Sequence, residues 1–146
     1  MLLATMHPPV TVLYKSCFEE LEGFYSKNSC RYSEDAHLWF KLLLRYPHYL
    51  HRKDGAIMHT SGSALSWNYT AARPIEPFLT DPEDIRQMCP AELKGIVRTV
   101  LAARALKTAA VYGYWGKPAQ ARTLLREFVQ PADWRLPFFL PALLGC

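Results

Sequence analysis

The chain has 146 residues, 50% hydrophobic and 21% charged, the balance of one ordinary globular domain able to bury about two-thirds of its surface. It contains no uninterrupted apolar run long enough to span a bilayer, and its four cysteines, at 17, 30, 89 and 146, make neither a C-x-x-C pair nor a zinc spacing. The net charge of +4 is uneven: residues 1–85 carry 8 basic and 10 acidic side chains, residues 86–146 carry 9 basic and 3 acidic. That basic part could meet phosphate, an anionic membrane surface or nucleic acid, but no nucleic-acid motif accompanies it, and no nucleic-acid partner is expected.

In chain order, Met1–Met6 lacks the basic start and long apolar core of a secretion signal, so a cytoplasmic setting with reduced thiols is expected. Val10-Thr11-Val12-Leu13-Tyr14 reads as a short buried strand behind Pro8-Pro9. Ser16–Leu21 makes a helical turn or two, Gly23-Phe24 a turn back toward the core, and Lys27-Asn28-Ser29 a loop.

The stretch from Ser33 to Arg45 reads as a helix. Ser33 is the expected N-cap, and Glu34 and Asp35 suit the positive end of the helix dipole. Ala36, Trp39, Phe40 and Leu43 form an apolar face; Glu34, His37, Lys41 and Arg45 line a narrow polar one. Asp35 stacks under Leu38, Trp39 and Leu42 instead. It is either a first-turn acid that stabilises the helix or a general base at the mouth of a pocket, and spacing alone does not choose.

Beyond Pro47, Tyr49-Leu50-His51 and Ala56-Ile57-Met58-His59 read as two extended pieces joined at Lys53-Asp54-Gly55, followed by a small polar loop over residues 60–66. Two prolines within Ala71–Pro77 mark a linker. Asp81 then caps a helix with Pro82 at its first position. A longer helix begins near Pro90, with the stripe Leu93, Ile96, Val97, Val100, and ends near Gly113–Gly116. Pro118 opens another, with the face Ala121, Leu124, Leu125, Phe128, Val129, so the two make an antiparallel hairpin. The apolar stretch Trp134–Cys146 is expected to pack on a neighbour.

Several chemical constellations fail on their surroundings. There is no glycine-rich phosphate loop. His48, His51 and His59 fall in extended or loop segments and read as surface residues rather than metal ligands, and no nucleophile elbow surrounds Ser61 or Ser63.

One ordered pattern remains. Cys17-Phe18, Leu21-Glu22-Gly23-Phe24, then Ser33-Glu34-Asp35-Ala36-His37-Leu38-Trp39-Phe40-Lys41-Leu42, Tyr49-Leu50, and His59-Thr60-Ser61-Gly62-Ser63 together resemble family 2 glycosyltransferases, in the acceptor-side half of their catalytic domain. The resemblance covers roughly residues 10–70, and the helices beyond 80 look like tails found on many bacterial members. It implies an α/β fold, the C-terminal part of a glycosyltransferase A-type, Rossmann-like domain followed by a helical tail. The domains implied are 1–72, a partial catalytic domain, and 78–146, a helical hairpin region.

The activity that the resemblance implies is inverting transfer of a sugar from a nucleotide-sugar donor to a hydroxyl of a glycan or lipid-linked acceptor. Asp35 matches the general base and Glu34 the motif's first acid; Trp39, His59 and Ser63 match substrate-binding positions, with His59 near the leaving diphosphate. An arginine frequent two residues before that histidine is Ile57 here. A divalent Mg or Mn ion is expected for the complete family enzyme, and the place of such a chain is cytoplasmic, peripheral at the inner membrane face. The nucleotide-binding half and its Asp-x-Asp metal motif have no counterpart in these residues, so the chain reads as a truncated enzyme, inactive alone and completed by a protein partner or self-association. The rival reading is a non-catalytic helical module that docks on another protein through its basic hairpin.

Overall fold

The computed structural model describes residues 6–51 and 71–130. Six α-helices run through them: α1 (Lys15–Glu20), α2 (Glu34–Arg45), α3 (Pro77–Thr80), α4 (Pro82–Met88), α5 (Lys94–Tyr114) and α6 (Pro118–Phe128). Short 3-10 turns lie at Pro8–Val10, Lys27–Ser29 and Ala91–Leu93.

Among the described residues there is no strand, which overturns the expected α/β, Rossmann-like fold. Val10–Tyr14, expected as a buried strand, leaves a proline-led 3-10 turn and runs unpaired into α1, with Val12 98% exposed. A strand needs a neighbour to take its backbone hydrogen bonds and to cover its apolar face, and none is at hand. Tyr49 and Leu50 likewise lie exposed without regular structure, while the second extended piece, Ala56–His59, lies outside the described residues.

The sequence places α2 correctly but not its faces. Phe40, with Ala36 and Leu44, packs into a core built mainly from α3 to α6, against Phe78, Ile85, Val97 and Leu101 among others. Leu38, Trp39 and Leu42 face a second cluster with Leu21, Cys17 and Phe18 near α1. His37 and Lys41, read as solvated, are buried at 2% and 6% exposure. The helix is enclosed on three sides, so no single apolar stripe describes it.

Local backbone geometry fixes how the chain enters α2. Gly23 ends the α1 turn at φ +68°, its N–H donating to the carbonyl of Phe18 at 2.9 Å. A Cβ there would lie 2.8 Å from the Phe18 ring, so both conformation and space call for glycine. Phe24 is thereby set edge-on against Phe18 and Trp39. Ser33 precedes α2 in the left-handed region, φ 55°, and makes no side-chain capping hydrogen bond, contrary to its expected role.

The hairpin forms as the periodicity predicts. Ala121, Leu124 and Phe128 of α6 are buried with Val97, Leu101, Ala105 and Ala109 of α5, and Gly116, at φ +66°, carries the turn between them. Alanines along α5 let α6 approach closely. The inward stripe is Val97, Leu101 and Ala105; Ile96 points away and is 62% exposed.

Residues 73–77, expected within a linker, are held to α5. Glu76, 4% exposed, accepts hydrogen bonds from Arg104 at 2.7 Å and from Thr108 Oγ1 at 2.9 Å, and Tyr112 donates to the carbonyl of Arg73 at 2.8 Å. A buried carboxylate requires such partners.

Truncating Leu124→Ala should destabilise the protein by about 2–5 kcal/mol, whereas Ile96→Ala should change stability by less than about 0.5 kcal/mol. Urea melts of both variants check the assignment; equal losses would mean that the inward stripe of α5 is misplaced.

Candidate functional site

The residues singled out in the sequence begin at the first turn of α2. Glu34 and Asp35 are both half-buried there. Asp35 Oδ1 accepts the backbone N–H of Ala36 at 2.7 Å, satisfying one of the donors that a helix start leaves unpaired. Its second oxygen has no hydrogen-bond partner among the described residues. Such a carboxylate can accept a proton from an approaching hydroxyl while the helix holds it in place.

Trp39 lies elsewhere. It is 2% exposed and packed edge-on to Phe24 in the cluster under α2, and its indole N–H is unpartnered among the described residues. A ring this covered supports the helix from below and offers no face for a sugar to stack on. His59 and Ser63 lie outside the described residues. The structure therefore joins Glu34 and Asp35 at one helix end and sets Trp39 beneath them. Among the described residues, no three His, Cys, Asp or Glu side chains are arranged to hold a metal ion, and no helix is long and apolar enough to cross a membrane.

The strongest concentration of charge was not legible in the sequence. It forms where α2 meets α4. His37 Nε2 and Asp84 Oδ2 are 3.0 Å apart, and Lys41 Nζ lies 3.3 Å from the same oxygen and donates to the carbonyl of Leu21 at 2.9 Å. One turn earlier on the α4 side, Asp81 takes a 2.8 Å ion pair from Lys27 and a 3.2 Å hydrogen bond from Tyr25. The Tyr25 ring lies against His37, centroids 4.7 Å apart. The sequence signal was present in outline: His37 and Lys41 stand four apart on one helix face, and Asp81 and Asp84 three apart on another. Only their pairing was missing.

The electrostatics follow from that geometry. Burial pushes the His37 imidazole below its ordinary pKa, and Asp84 offsets this only in part. Burial alone would raise Asp84, but the His37 hydrogen bond and the Lys41 charge outweigh it and hold the carboxyl below the usual range. The Lys27 hydrogen bond does the same for Asp81. These groups neutralise one another, and the chemistry they support is cohesion rather than turnover. Cys17, Cys30 and Cys89 are free thiols, and burial raises that of Cys89.

No protein-family model, curated protein or solved structure matches the chain.

Because the folded protein resists protonating His37, the unfolded chain binds that proton first as pH falls through about 6.5. Stability should therefore drop between that pH and the depressed folded value. Urea midpoints at about pH 8 and pH 5.5 should fall more steeply for the parent than for His37→Gln; parallel slopes would refute the assignment. Asp84→Ala strands Lys41 beside an apolar core and should destabilise by about 3 kcal/mol, the low end for a broken buried pair, because the Asp84 side chain is 32% exposed. Chemical denaturation measures it directly.

Proposed function

We propose that these helices serve as the acceptor-side part of an inverting sugar transferase, with Asp35 taking the proton of the acceptor hydroxyl and Glu34 beside it orienting the site. The observation that carries this reading is the open second oxygen of Asp35, at the start of a helix whose other sides are locked. The ordered sequence pattern from Cys17 to Ser63 supports it. A base needs one free lone pair in a fixed direction, and α2 supplies both.

The donor side is the part that these 146 residues do not carry. A nucleotide diphosphate needs its charge neutralised, commonly by a divalent Mg or Mn ion on carboxylates, and the described residues do not fit such an ion. No step is assigned to a metal here. General-base assistance contributes about 10² to 10⁴ and cannot replace positioning of the donor, so this chain by itself should transfer no sugar. Turnover then needs a donor-binding partner, supplied by another chain.

Saturation-transfer NMR with a panel of glycosides and nucleotide sugars, with and without manganese, tests both halves of the reading. Weak binding of a glycoside that is lost in Asp35→Asn, with no nucleotide-sugar signal in either condition, is the expected result. Saturable, metal-dependent binding of a nucleotide sugar would show that a donor site is present. Absence of any glycoside binding would remove the acceptor role.

A further inference from the structure

A groove of about 590 Å³ opens where the C-terminal end of α4, the first turns of α5 and the last turn of α6 converge. No residue of α2 lines it, so it is separate from Glu34 and Asp35. Its floor is apolar and buried: Val97, Leu101 and Phe128, at 5%, 3% and 6% exposure. Its rim is exposed and basic, carrying Arg86, Lys94, Arg98 and Arg126 against the single acid Glu127. Volume and apolar lining fall in the range of small-molecule sites.

The rim cations are unequally engaged. Arg98 Nη1 donates to Gln130 Oε1 at 2.7 Å, bridging α5 to the chain that leaves α6. Arg86 lies over the Phe128 ring, 5.6 Å from its centroid, with a long 3.9 Å contact to Glu83. Lys94 and Arg126 have no ion-pair or hydrogen-bond partner among the described residues. Four like charges around one mouth repel each other and are eased by an anion. Their excess over Glu127 is larger than one carboxylate neutralises, and guanidinium forks match phosphate oxygens. An apolar floor below that ring of charge calls for a ligand that is greasy at the other end.

We propose that this groove binds an amphiphile with a phosphate head and a single alkyl chain, the phosphate held between Lys94 and Arg126 and the chain lying on Val97, Leu101 and Phe128. The concavity favours a detached amphiphile over a bilayer surface, because buried side chains at the bottom of a groove cannot reach a flat membrane. The site stands independently of the sugar-transfer reading, since it uses none of the same residues.

Decyl phosphate below its micellar concentration is the probe, titrated into the full chain and followed by calorimetry and by amide shifts. Inorganic phosphate, decyl maltoside and anionic phospholipid vesicles are the controls. Lys94 and Arg126 are exposed, so the double variant Lys94→Gln, Arg126→Gln should melt like the parent. Saturable decyl phosphate binding, shifts at Val97, Leu101 and Phe128, and a roughly ten-fold or greater loss in the double variant are expected. Equal binding of decyl maltoside would reduce the groove to an apolar patch, and equal binding of inorganic phosphate to a bare anion site. Vesicle binding without decyl phosphate binding would assign it to a membrane surface. Unchanged affinity in the double variant, or no binding at all, would also overturn the proposal.

Discussion

Two cations on one helix face, His37 and Lys41, lie buried against a single carboxylate on another helix, Asp84. An ammonium group taken out of water is strongly unfavourable unless it is compensated at close range. Lys41 therefore requires both of its partners, Asp84 on α4 and the Leu21 carbonyl at the end of α1. This requirement fixes α2 between the N-terminal segment and the helices beyond residue 77. Phe40 can then reach Phe78, edge to face at 5.8 Å, and Trp39 can close the opposite cluster. The apolar contacts supply the driving force, and the charge contacts select which arrangement of helices receives it.

The same device recurs where the chain enters α3. Glu76 is buried under Arg104 and Thr108, and the Arg104 guanidinium also lies over the Phe78 ring at 5.7 Å. The prolines at 74 and 77 read as a flexible joint in the sequence, but here they stiffen a segment that is bonded to the middle of α5. Burial raises the Tyr112 phenol as it holds the Arg73 carbonyl. A proline limits backbone freedom without saying whether the segment is exposed. That depends on whether a partner exists for its polar groups, and Arg104 lies 28 residues away from Glu76.

The helical architecture changes how the resemblance to sugar transferases is to be understood. Without a sheet among the described residues, the Rossmann-like frame cannot position Glu34 and Asp35. Their placement comes from α2 being clamped on three sides, with its first turn left half open. Trp39, a substrate contact by resemblance, is spent on the hydrophobic floor of that helix. Both groups on which the sugar-transfer reading turns, the open Asp35 oxygen and the basic rim of the separate groove, sit on well-packed elements, and only the first belongs to that reading.

What the sequence by itself determined were the elements with strong local signals. These are α2 with its acidic first turn, the Pro82 start of α4, and the α5–α6 hairpin with Leu124 and Phe128 inward. Helical periodicity and proline placement act within a few residues, so they can be read along the chain. Only the tertiary structure decided that Val10–Tyr14 has no strand to pair with, that Ile96 faces out while Val97 faces in, and that the polar stripe of α2 is buried. A strand exists only if a second one lies beside it, and a histidine or lysine is buried only if a carboxylate meets it there. For His37 that carboxylate stands 47 positions further along the chain, beyond the reach of any local pattern.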